Sequence, residues 1–71
     1  MLIIYKEISV LVRTVSGRPQ YVEVESSEFE FLNRFELLSR SEQFLPSRES
    51  NTIVVIDRRA LPLLLRLIQG V

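Results

Sequence analysis

No cysteine and no histidine occur anywhere in this chain of 71 residues, and at that length the omission constrains everything else. A domain so short buries only ~60 % of the surface its unfolded chain exposes, so its core is marginal without a supplement. Without cysteine there are no disulfides and no thiolate metal sites. Without histidine the commonest transition-metal ligand and the commonest general base are gone. Oligomerisation is the supplement left by elimination. The same absences exclude Ser-His-Asp and Cys-His catalysis and zinc clusters. Glycine stands only at 17 and 70, which excludes a Gly-rich phosphate loop. The expectation is a protein that is not an enzyme and holds no cofactor or metal.

Nine basic residues balance nine acidic ones, for a formal net charge of zero. Bulk attraction to nucleic acid or to an anionic membrane is therefore unsupported, and little electrostatic repulsion keeps copies apart. At 46 % apolar the chain is far from the disordered class, yet no apolar run nears the ~20 residues of a bilayer span. The opening MLIIYKEISV carries Lys6 and Glu7 early and lacks the basic start of a signal peptide. One domain over 1–71, in a reducing cytoplasmic setting, is expected.

From Leu2 to Thr14 apolar residues fall on even positions (Leu2, Ile4, Ile8, Val10, Val12), with Lys6 the exception. That alternation predicts one half-buried strand, central at its doubly apolar start. Ser16-Gly17-Arg18-Pro19 is a turn, and Gln20 to Glu25 a second strand with Val22 and Val24 inward. For these valines to share a face with Val10 and Val12, paired residue numbers must sum to an even value. A two-residue Ser16-Gly17 turn fails that test, so a three- or five-residue loop is expected, with Gly17 at the bulge. Ser27 and Glu30 form a capping-box pattern opening a helix to about Ser41. Its stripe is Phe31, Leu32, Phe35 and Leu38, with Glu30–Arg34 and Glu36–Arg40 pairs on the wet side and Phe29 and Leu37 outside the stripe. The 43–51 segment is a loop that tucks Phe44 and Leu45 under. Thr52 to Ile56 is a third strand, apolar on both faces, and Asp57 caps a final helix over Ala60 to Gln69 with Pro62 in its first turn. The fold expected is α+β: a small β-β-α-β-α domain, a three-stranded sheet in order 2-1-3 with a right-handed crossover, and two helices packed on it.

Chemistry is sparse. Glu23 with Glu25, and Glu28 with Glu30, are carboxylate pairs in a chain with little volume for a cleft, and they read as solvated surface; Glu23 and Glu25 alone make a weak cation site. Tyr5 and Tyr21 read as packing residues. The final helix says more. Leu61, Leu63, Leu64, Leu65, Leu67 and Ile68 cover an arc of ~200°, wider than one sheet contact needs. The surplus, best represented by Leu63 and Leu67, either wraps inside the monomer or packs on a second copy about a two-fold axis. A bilayer-interface role is the third option, and ten residues is short for it. Arg58, Arg59 and Arg66 form a cation cluster beside it, for an anion or a partner's carboxylates, or simply solvated.

The function expected is a small non-enzymatic protein-interaction or regulatory module, an adaptor without a membrane partner. It is expected to be a homodimer through Leu61, Leu63, Leu64 and Leu67, with an unknown protein partner met at Arg58, Arg59 and Arg66. The alternative is a nucleic-acid-binding regulator using Arg13 and Arg18 of the first hairpin, or the Arg58/Arg59/Arg66 cluster.

Overall fold

A computed structural model describes residues 2–5 and 8–69, with residues 3–5 described by their backbone. The strands are β1 (Leu2–Tyr5), β2 (Ile8–Val15), β3 (Arg18–Ser26), β4 (Ser47–Arg48) and β5 (Ile53–Asp57). The helices are α1 (Phe29–Ser41) and α2 (Leu61–Gln69), the latter entered through a 3₁₀ turn at Arg58–Ala60. The fold is α+β, a five-stranded antiparallel sheet in order β1-β2-β3-β5-β4 with both helices on one face.

Period-2 burial explains why the layers meet as they do. Val10 and Val12, Val22 and Val24, and Val54 and Ile56 are buried against Phe31, Leu32 and Phe35 of α1 and Ala60, Leu63, Leu64 and Ile68 beside or within α2. Each is at most 7 % exposed, so one core serves the whole chain. The cross-strand partners are Val12↔Val24 and Val24↔Val54, which keeps the valines in one row.

The order 2-1-3 and the parallel crossover are both corrected. The chain reverses between Tyr5 and Ile8, so the Leu2–Thr14 segment is two antiparallel strands and its apolar start lies at the sheet edge. Lys6 and Glu7, and the side chain of Tyr5, lie outside the described residues. At the other end β4 was not foreseen. Its hairpin with β5 adds one more reversal, so β5 returns antiparallel to β3 and pairs with it directly. A two-residue strand containing one serine and one arginine has no periodicity to read.

The first hairpin keeps the expected parity by another route. Val15 pairs with Arg18 across a Ser16-Gly17 turn, and a register shift between Thr14 and Val15 then sets Thr14 opposite Val22. The bulge absorbs the odd residue count that a longer loop would otherwise supply. Gly17, at φ 75°, takes the left-handed conformation at that turn.

The capping box does not form. Glu28 is the α1 N-cap residue and makes no side-chain cap; instead its N–H donates to Oγ of Ser26, 3.1 Å away. Ser26 ends β3 facing the core at 1 % exposure, and α1 is entered at Glu28, one residue later than the pattern implied. The buried arc of α1 ends on Ser39 rather than Leu38, which is 40 % exposed. Ser39 tolerates burial because its hydroxyl donates to the Glu36 carbonyl at 2.9 Å. Glu36 and Arg40 pair at 2.9 Å, while Glu30 and Arg34 make no pair.

The end of α1 is a Schellman motif: the Gln43 N–H bonds the Arg40 carbonyl and the Phe44 N–H bonds the Ser39 carbonyl. Gln43 sits at φ 67° where glycine is usual. The turn aims Phe44 onto the core but leaves Leu45 87 % exposed, so only half of the expected tuck occurs. No helix among the described residues is long and apolar enough to cross a membrane.

Two backbone positions give opposite expectations. Gln43→Gly relieves a left-handed non-glycine residue and should raise unfolding free energy by about 1 kcal/mol. Gly17→Ala should lower it by about the same amount, through backbone conformation alone, since an added Cβ meets no atom within 4 Å. Urea melts with an unchanged m-value check both.

Candidate functional site

The leucine-rich helix belongs chiefly to the core. Asp57 caps its entry, accepting from the Arg59 N–H at 2.9 Å, and Pro62 falls at the second helical residue, where no N–H is needed. Leu64 is fully buried and Leu63 is 7 % exposed, while Leu61 and Leu67 are half-buried against the same cluster. The side chains expected at an interface with a second copy thus pack on this chain's own core. α1 lies beside α2, so α2 is covered by the sheet and by a neighbouring helix, and a helix covered on two sides needs a wide apolar arc. The leucine left over is Leu65, 43 % exposed.

The arginines of this segment share no partner. The Arg59 side chain turns back to the Asp57 carboxylate, with its guanidinium nitrogens 3.1 Å from both oxygens, and lies 5.5 Å from the ring centre of Phe44. The Arg59 side-chain hydrogen bonds, helped by its backbone N–H, hold the Asp57 carboxyl below the usual carboxylate value, and the same contact raises Arg59. Arg58 lines an open cleft of about 470 Å³ with Val12, Thr14, Val22 and Leu61. Arg66 is exposed on α2. Neither Arg58 nor Arg66 makes a side-chain ion pair among the described residues.

The surface that sequence reasoning missed is the other face of the sheet. Both helices cover the even-numbered side of β2, β3 and β5, and the odd-numbered side carries no helix. Leu2, Leu11, Glu25 and Ile53 form one cross-strand row there, with Arg13, Glu23 and Val55 in the next and Tyr21 opposite Asp57 beyond. Leu11, Tyr21, Ile53 and Val55 remain half-buried, and Leu2 is 59 % exposed. Charge on this face is matched locally: Arg13 reaches Glu25 at 2.9 Å and Glu23 at 3.7 Å. The two glutamates are thus ion-paired, and no group of three carboxylates that could hold a metal exists among the described residues. Arg18 lies 6.0 Å from the ring centre of Tyr21. The signal for this face was present. Residues 53–56 are apolar at every position and Leu11 interrupts the alternation, but a pattern apolar on both sides does not say which side is covered.

At the sheet's far edge, Arg48 ties β4 to α1. It donates to the Glu36 carboxylate and to Asn33 Oδ1 at 3.0 Å, and its guanidinium lies 5.7 Å from the Phe29 ring centre. Phe29, 49 % exposed, thereby has a cation resting on it.

Burial on α2 separates two substitutions. Leu64→Ala should cost about 2–5 kcal/mol and Leu65→Ala less than about 0.5 kcal/mol in denaturant unfolding, with Leu63→Glu failing to fold. The Asp57 contact sets a pH dependence. Its folded-state pKa lies below the ordinary 3.8, so its stabilising contribution is complete above that value and is lost as pH falls through the folded value. Asp57→Asn should flatten the acid limb of a stability–pH curve below 3.8 and leave the neutral limb's slope unchanged. Comparison with protein-family models, with curated proteins and with solved structures finds no match for the chain.

Proposed function

We propose that this chain is a small, non-enzymatic protein-interaction or regulatory module of the cytoplasm, and that its contact surface is the uncovered face of the sheet. One observation carries the reading: two short helices cover one face of a five-stranded sheet, and the other presents Leu2, Leu11, Tyr21, Ile53 and Val55 between locally paired charges. Apolar and aromatic side chains interleaved with satisfied ion pairs are the composition of a recognition patch. Such a patch binds by complementarity, and its charges need no new partner on burial because they already have one.

Support for the nucleic-acid alternative is weaker. Arg13 is held by two glutamates and Arg59 by Asp57, which leaves fewer cations free for phosphate. A formal net charge of zero adds no long-range attraction.

The double variant Leu11→Lys/Val55→Lys tests the contact face. Each lysine lies across the ladder from a glutamate, Glu25 and Glu23, so the variant should fold without setting like charges directly opposite one another. Proteins retained by the immobilised chain from an extract of its source cells should be lost with this variant and kept with Leu37→Lys on the outer side of α1. Equal retention by the double variant, or binding of nucleic acid that weakens steeply with salt and with Arg58→Ala, would refute it.

A further inference from the structure

We infer that β1 is a pairing edge and that a second copy of this chain occupies it, strand against strand, antiparallel about a two-fold axis. The inference concerns the edge strand of the sheet, which borders the contact face at Leu2, and its cross-linking test is independent of that reading.

The two edges of the sheet are built in opposite ways. The β4 edge is two residues long and follows Pro46, which has no N–H to offer. Its Arg48 is drawn onto α1 by Glu36 and Asn33. Short, charged and proline-flanked edges resist strand addition. The β1 edge reads Leu-Ile-Ile-Tyr, four residues with no charge, proline or glycine, in unbroken register with β2. Among the described residues it has a neighbour on one side only, so alternate N–H and C=O groups point outward along a strand of high β-propensity. One edge is closed and the other is open.

The chain's own chemistry selects the occupant. An uncharged strand paired antiparallel with itself sets no like charges opposite one another, and two copies of zero net charge approach without repulsion. A chain with no cysteine for a disulfide gains its missing stabilisation most directly by extending a ladder it already has. Symmetry also restricts the register. Residues opposite each other in a pleated pair share a face, so paired numbers sum to an even value and the axis passes at a residue, Ile3 or Ile4. With the axis at Ile3, Leu2, exposed in the row it shares with Leu11, gains the second copy's Ile4 as its cross-strand neighbour.

The absence of native cysteine makes the test direct. The full chain should sediment as a dimer at roughly 100 µM, and Leu2→Lys should weaken association about ten-fold or more with an unchanged circular dichroism spectrum. Single variants Ile3→Cys and Ile4→Cys, oxidised with copper–phenanthroline, should include one that cross-links to a disulfide dimer, because cross-strand Cβ atoms at the axis lie within disulfide reach. Leu45→Cys, 87 % exposed in the α1–β4 loop, should not. A monomer at roughly 500 µM, or cross-linking of Leu45→Cys as ready as that at positions 3 and 4, overturns the proposal. So does a dimer that survives Leu2→Lys and is dissociated by Leu11→Lys/Val55→Lys, which would move self-association to the contact face.

Discussion

The architecture depends on the parity of one ladder. β2, β3 and β5 run antiparallel with registers that place Val12, Val24 and Val54 in a single row, and that row is the floor on which both helices lie. Sliding β2 by one residue would set Arg13 in that row, and sliding β3 would set Glu23 there, burying a charge beneath the helices. The cost of desolvating those charges fixes the register more firmly than hydrogen bonds can, since the backbone ladder is equally satisfied in either alignment. The bulge after Thr14 is the local adjustment that lets a two-residue turn coexist with the required parity.

Above that floor, local contacts connect the two helices into one layer. The Schellman turn that ends α1 points Phe44 at the core. Phe44 in turn lies under the Arg59 guanidinium, and Arg59 is held by Asp57, the residue that caps the entry to α2. The end of one helix and the start of the next are thus joined through an aromatic ring and an ion pair. Both groups of that ion pair lie at the surface, so it orients more than it stabilises. Two helices of thirteen and nine residues suffice for one face of the sheet and no more. The uncovered face follows from this shortage of helical surface, as does its mixed composition. It carries half-buried apolar side chains beside locally paired charges.

Much of this was legible in the residues. Alternation identified the inward valines of β2 and β3, the even-sum requirement for their pairing was correct, and the extents of α1 and β5 were readable from periodicity and turn chemistry. Leu63, Leu64 and Leu67 were recognised as unusual without their destination being evident. A wide apolar arc looks the same whether a second helix of the same chain or another chain covers it. The reversal between Tyr5 and Ile8 was hidden because the even-numbered apolar pattern resumes beyond Lys6 in the same phase, and β4 was hidden because two polar residues carry no pattern.

The sequence by itself determined what this protein lacks and which side chains seek burial. Composition rules out cysteine and histidine chemistry, and a period of two or of 3.6 marks each inward face, because these are properties of residues and of local backbone geometry. Tertiary structure alone decided which strands are neighbours, which face of the sheet the helices take, and which edge stays open. Those outcomes depend on contacts between residues far apart in the chain, whose energies periodicity does not encode. The absence of His and Cys chemistry therefore stands as a fact of sequence, while the uncovered face and the edge order of the sheet are facts of packing.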